Sequence, residues 1–414
     1  MFKSILQLAS ATLITQIISF GIMPIITRLH TPHTLGEFQF FTTVALLLAP
    51  LMSGSFAIAI KSSKNRYQSY LYLKAGIFYT VFFLFILIAI SPIILILINE
   101  SGVSWFSEYY FLLIFFVFLS CNFQFAISIM INLKKYKEQS VLEVKKSIVF
   151  NSLKLMLSYY SKTAFSLVYA LVISEFIQLL LVLRKNIFLL KRIILLSKKI
   201  NLKKEFNILR KYPTYVTFSN IISIFFNWFP ILIAGYFYGS YNIGLLSLAF
   251  TVVNTPIYPF ITILQSICFG ELSRGGINKK SIKIYKKIFI IALIPSVFGL
   301  IVLHSFGEVL FSFVFGDVWY KAGSYAFYCF IPVSISMIFS PFYSTLNQIL
   351  GLQKTFFKVQ VGLLILMTGV FFILLYNNLN FDFFVIFYSL SMMIVHILLF
   401  LISLRFFLDN RLPS

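Results

Sequence analysis

Arg184 to Lys211, RKNIFLLKRIILLSKKINLKKEFNILRK, is the stretch on which the reading of the fold turns. It sits at the midpoint of 414 residues and separates two long apolar halves. Lys191, Arg192, Lys198, Lys199, Lys203, Lys204, Arg210 and Lys211 alternate with Ile, Leu and Phe, the pattern of a helix lying on an anionic membrane surface with its cations among the headgroups. A solvated loop carrying the positive-inside signal is the competing description, and both place the stretch in the cytoplasm. A nucleic-acid partner is the weaker reading, since the flanking apolar chain leaves no soluble domain to hold a polyanion.

Composition sets the class. Hydrophobic residues make up 60% of the chain and charged residues 11%, with mean hydropathy +0.94, far more apolar than a soluble surface allows. The expectation is an all-α integral membrane protein. The 34 Lys and Arg outweigh 12 Asp and Glu, for a formal charge of +22. Cys121, Cys268 and Cys329 lie inside apolar runs and read as packing residues, neither a disulfide framework nor a metal site. The opening MFKSILQLASATLITQIISFG has no small-residue cleavage site and reads as the first span.

A bilayer span takes about 20 mostly apolar residues. Such runs fall near 8–28, 38–60, 75–98, 109–132, 147–160, 164–183, 214–237, 243–268, 286–313, 323–346, 356–376 and 383–407. Twelve helices are therefore expected, six in a lobe at 1–183 and six in a lobe at 213–414, joined by the linker at 184–212. Assigned alternately to two sides, the connections separate by charge. One side holds most of the cations, among them Lys61, Lys64, Arg66, Lys134, Lys135, the linker, Lys279, Lys280, Lys354 and Arg405. The other holds Arg28, Lys162 and Lys321 among Glu100, Glu108, Asp317 and Asp382. The positive-inside rule then puts both termini in the cytoplasm.

Sliding the chain against itself by 208 residues lays Thr34-Leu35-Gly36 over Asn242-Ile243-Gly244 and Arg66 over Arg274. Thr12, Thr15 and Ser19 of helix 1 then coincide with Asn220, Ser223 and Asn227 of helix 7. Each set falls on one helical face. Such stripes either join helices or line a wet cavity, and recurrence at equivalent positions favours the cavity. An even number of helices per copy gives both lobes one orientation, with a pseudo-twofold along the membrane normal.

Helix 5 carries Ser147, Asn151, Lys154 and Ser158 on one face, and helix 6 carries Glu175 and Gln178. Charges at that depth are costly. Counted from Lys146 and from Arg184, Lys154 and Glu175 both lie roughly 12 to 14 Å from the cytoplasmic boundary, which predicts an ion pair between them or a charge facing the cavity, with Glu175 a candidate for proton coupling. Arg28 ends the helix 1 stripe near the external surface. His304 and His396 read as packing or interfacial residues. No spacing of His, Cys or acids suggests a metal site, a cofactor or a catalytic dyad.

Arg28-Leu29 and Leu35-Gly36-Glu37-Phe38 resemble the helix 1 to helix 2 turn of the bacterial polysaccharide biosynthesis, or Wzx-type O-antigen flippase, family. The stretch Gly235 to Pro259 is similar to the same family, and so is Phe315-Gly316-Asp317-Val318-Trp319-Tyr320-Lys321-Ala322-Gly323, which matches its element before helix 10. The resemblance spans essentially the whole chain. It implies the fold of the multidrug/oligosaccharidyl-lipid/polysaccharide (MOP) exporter superfamily, MATE-like, in the bacterial inner membrane. The implied substrate is a polyprenyl-diphosphate-linked oligosaccharide, with anionic lipids and the polysaccharide polymerase machinery as further partners. Arg28, Lys154, Glu175, Thr12, Thr15, Ser19, Asn220, Ser223 and Asn227 are the candidate cavity residues. A multidrug or cation antiporter is the runner-up; a membrane O-antigen polymerase would need a larger external loop than the chain provides.

Overall fold

The computed structural model describes residues 2–63, 65–100, 103–133, 135–185, 209–210, 212–275, 279–349, 353–376 and 380–409. Most of the expected linker at 184–212 lies outside them. Among the described residues all regular structure is helical: α1 Phe2–Leu29, α2 Pro32–Ser53, α3 Phe56–Ser62, α4 Arg66–Ala89, α5 Ser91–Asn99, α6 Tyr110–Asn132, α7 Tyr136–Tyr160, α8 Ala164–Lys185, α9 Thr217–Gly275, α10 Lys279–Phe315, α11 Tyr320–Ile349, α12 Gln353–Tyr376 and α13 Phe381–Asp409. The chain forms two compact units, Met1–Gly244 and Leu245–Ser414.

Nine helical segments among the described residues are long and apolar enough to cross a membrane. They differ from the twelve expected spans at three places. The polar face of α7, with Lys145, Lys146 and Lys154, keeps it below that hydropathy. In α12, a helix running from Gln353 to Tyr376, the segment counted among the described residues is Lys358–Gly369, shorter than a span. The expected helices 7 and 8 are counted together as Trp228–Phe269, whose 42 residues would measure about 63 Å if straight, twice a bilayer core of about 30 Å. Gly239 breaks that run at φ 79°, a backbone angle glycine adopts without steric cost.

Two expected spans are also interrupted. The second stops at Gly54 and Ser55, both left-handed with φ 55° and 54°, and α3 follows as a separate short helix. The third ends at Ala89, and Pro92 in the first turn of α5 restarts it. Within the first unit, Phe56, Ile60, Leu71, Ala75 and Phe125 join α3, α4 and α6 in one apolar core. Within the second, Trp319 and Ala322 are fully buried, and a side chain on Gly323 would meet the Gly307 carbonyl. The run Phe315 to Gly323 thus serves as the close joint between α10 and α11.

Candidate functional site

Thr31 and Pro32 open α2: the Thr31 hydroxyl accepts from the Thr34 N–H, and Pro32 takes a first-turn position that needs no donor. One turn further on, Gly36 lies so close to the turn after α9's kink that an added Cβ would overlap the Ser240 carbonyl. Gly244 makes the reciprocal approach to the Pro32 carbonyl. The Ser240 hydroxyl and His33 Nδ1 are hydrogen-bonded at the same place. These contacts belong to the first unit, and they explain why its packing extends to Gly244, well past the linker.

Polar stripes reappear as a seam. Helices α1 and α7 run parallel: Ser147 Oγ donates to the Thr15 carbonyl (3.4 Å), and Asn151 Nδ2 donates to Ser19 Oγ (3.2 Å). His30 Nε2 and Ser158 Oγ share a hydrogen bond of 2.8 Å near the far end. Interhelical hydrogen bonding is therefore one use of the helix 1 stripe, although Thr12 and Ser19 are still exposed. Arg28 lies exposed in the last turn of α1, where a cation complements the helix dipole. On α9, Asn220 Nδ2 and Thr217 Oγ1 both donate to Ser55 Oγ (3.1 and 3.0 Å), securing the left-handed residue between α2 and α3. The side chains of Ser223 and Asn227 lie outside those described.

Lys154 is only 8% exposed. Its ammonium lies 5.6 Å from the Phe38 ring and 5.8 Å from that of Phe150, and it makes no ion pair among the described residues. Aromatic faces offset part of the cost of its burial.

The expected Lys154–Glu175 pair is corrected: Glu175 Oε2 lies 2.5 Å from Lys146 Nζ. Lys154 shares the α7 face that hydrogen-bonds α1, so it points away from α8. Eight residues turn a helix by about 80° relative to Lys146, enough to exchange one neighbour for another. Matching depths gave no information about facing. Lys146, counted in the sequence only as a loop cation, is the missed residue, together with His30 and Ser55. His30 sits in the turn between α1 and α2, where burial, and then the Lys154 ammonium, hold its pKa down to about 4.

The helices make a multi-pass membrane bundle with a repeat-related turn contact and a buried cation that has no ion pair among the described residues, and solved structures of membrane transporters share the fold. An outward-facing multidrug resistance MATE family transporter of the MOP superfamily matches with TM-score 0.56 at 16% identity, covering 100% of this chain and 97% of its own. A MATE in complex with MaD5 matches with TM-score 0.56 at 14% identity, covering 98% and 96%. A MOP superfamily transporter from Pyrococcus furiosus, described by a reverse polarity of its binding pocket that suggests a different function, matches with TM-score 0.54 at 16% identity, covering 98% and 95%. Residues 1–274 match the family described as polysaccharide biosynthesis protein, and the chain belongs to that family. No curated protein sequence matches it.

Proposed function

We propose that this protein carries a polyprenyl-diphosphate-linked oligosaccharide from the cytoplasmic to the external leaflet of the bacterial inner membrane by alternating access, with both termini in the cytoplasm. The observation that carries the reading is the sign of the buried charge: Lys154 is embedded among aromatic rings without a carboxylate partner among the described residues. A diphosphate cannot cross hydrocarbon unaided, because even single charges there cost kilocalories. A desolvated ammonium offsets part of that cost, and Arg28 at the end of α1 offers a second cation nearer the exit. A site with many cations would trap the cargo, so few are expected. Anionic lipids at the basic linker and the polymerase machinery complete the partners of this reading.

Because the MOP fold also serves multidrug resistance transporters, a MATE-like cation antiporter is the competing reading. Pocket polarity separates the two, as the Pyrococcus furiosus relative's description illustrates for that protein. A deletion strain tests the choice. Loss of surface polysaccharide with lipid-linked oligosaccharide accumulating on the cytoplasmic leaflet is expected. Intact surface glycans in a strain without a redundant flippase, together with new sensitivity to cationic dyes, would favour the antiporter.

A further inference from the structure

His30 sits in the turn between α1 and α2, where its backbone N–H bonds the Ile26 carbonyl at 2.9 Å and its ring is enclosed. Nε2 lies 2.8 Å from Ser158 Oγ, and Ser158 is fully buried. Nδ1 has no hydrogen-bond partner among the described residues; the Lys162 carbonyl lies near the ring, outside hydrogen-bond geometry.

A neutral imidazole donates at one nitrogen and accepts at the other, and its surroundings decide which. Burial, and then the Lys154 ammonium, keep this ring uncharged at neutral pH. With the hydrogen on Nε2, the enclosed Ser158 O–H and the Nδ1 lone pair would both lack a partner. With Ser158 donating to Nε2, only the Nδ1–H is left over. The second arrangement orphans fewer buried groups and is favoured. Ser158 therefore makes His30 a donor whose N–H meets no acceptor.

One turn earlier on the same face of α7, Lys154 holds a buried ammonium against the Phe38 and Phe150 rings, without an ion pair among the described residues. The charges acting on the His30 ring, Lys154 and Lys162, are both positive. Glu37, beside Phe38 in α2, is engaged elsewhere: it accepts from the Tyr109 hydroxyl at 2.8 Å and lies 4.0 Å from His33. The turn and the end of α7 thus bring together two buried donors, one charged and one neutral, with no acceptor. An oxyanion satisfies both.

We propose that His30 determines the specificity of the Lys154 site: its Nδ1–H and the Lys154 ammonium receive one phosphoryl group of a diphosphate, with Ser158 as the positioning residue. A lysine alone is a point charge on a flexible stem, able to leave the rings for an arriving anion but poor at choosing one. A fixed neutral N–H beside it adds direction without adding a second positive charge that would hold the cargo too tightly. That the phosphoryl group belongs to a lipid-linked cargo rests on the flippase reading; the oxyanion site itself does not.

The test titrates the full-length protein, carrying isotope-labelled histidine in a phosphate-free detergent, with farnesyl diphosphate and separately with inorganic pyrophosphate. Of the four histidines, the one whose signal is lost in His30→Gln should show its Nδ1–H resonance move downfield as farnesyl diphosphate binds. Asn places an amide N–H where Nδ1 stood and Gln where Nε2 stood, so the two variants separate the anion donor from the Ser158 contact. His30→Asn should bind within about threefold of the native protein, whereas His30→Gln and Ser158→Ala should each weaken binding by about tenfold, the effect of one lost hydrogen bond to a charged group. Equal affinity for pyrophosphate keeps the oxyanion site and detaches it from a lipid cargo, so a failure of the flippase reading shows separately. Native affinity in His30→Gln with loss in His30→Asn assigns the ring to the Ser158 contact alone and overturns the proposal. So does saturation of the native protein by either probe with no histidine N–H resonance moving, or binding of neither probe, and these two results need no variant to fold.

Discussion

Gly36 and Gly244 occupy equivalent places in a contact that is made twice. Gly36 packs on the Ser240 carbonyl and Gly244 on the Pro32 carbonyl. The separations 240 − 32 and 244 − 36 both equal 208, the offset at which the sequence repeats. A contact in which residue i meets j and the copy of i meets the copy of j is the mark of a twofold relation. The internal repeat is therefore visible as geometry in these two turns.

Since the obstructing atoms are backbone carbonyls, no rotamer change can accommodate a methyl group at either glycine. Gly36→Ala and Gly244→Ala should each lower stability by about 1–3 kcal/mol or more, as overpacking does. Gly21→Ala, where nothing lies within 4 Å of the new Cβ, should be neutral or stabilising. Thermal unfolding of the detergent-solubilised protein compares the three. Equal effects at Gly36 and Gly21 would mean the turns do not touch.

The Lys146–Glu175 ion pair should show as coupling. Removing one partner of a buried pair typically costs about 3–5 kcal/mol, and removing both costs less than the sum. A double-mutant cycle with Lys146→Met and Glu175→Gln should be strongly non-additive in stability, whereas Lys154→Met with Glu175→Gln should add within about 0.5 kcal/mol. Additivity in the first cycle and coupling in the second would restore the Lys154 pairing.

On the cationic route, Arg28→Ala should abolish surface polysaccharide export with the protein still in the membrane, and Arg28→Lys should retain part of it. Lys154→Met should reduce export, and Lys154→Arg should preserve more. Quantifying surface polymer alongside membrane abundance separates transport loss from misfolding.

His30 predicts a pH dependence. Its pKa is about 4 in the folded protein against an ordinary value of 6.5, so between those values the unfolded chain binds the extra proton and the folded one does not. The His30 contribution is therefore complete above about 6.5 and is lost as pH falls towards about 4. Melting temperatures measured across this window should fall less steeply for His30→Gln than for the native protein. Parallel slopes would remove His30 as a cause.

The sequence already showed the membrane class, the duplicated turns and the polar faces, because apolar run length and helical spacing are one-dimensional signals. It could not show which neighbour each polar face meets. Ser147 and Asn151 were legible as a stripe, yet their partners Thr15 and Ser19 depend on α1 and α7 lying parallel. Lys154 was legible as buried, but its place beside Phe38 and away from Glu175 is a matter of rotation about α7. The break at Gly54 falls inside the expected 38–60 span, and Ser55 in a left-handed conformation is held there by Thr217 and Asn220, more than 160 residues away.

The most direct measurement is leaflet exchange in reconstituted vesicles. A polyprenyl-diphosphate oligosaccharide with a tagged sugar is loaded into both leaflets, and the fraction accessible to an external sugar-binding probe is followed over time. The native protein should expose the inner-leaflet pool, Lys154→Met should slow that exposure, and a cationic dye enclosed in the same vesicles should remain inside. Dye release with the inner-leaflet lipid still protected would contradict the flippase reading and assign the protein to the cation exporters of this fold.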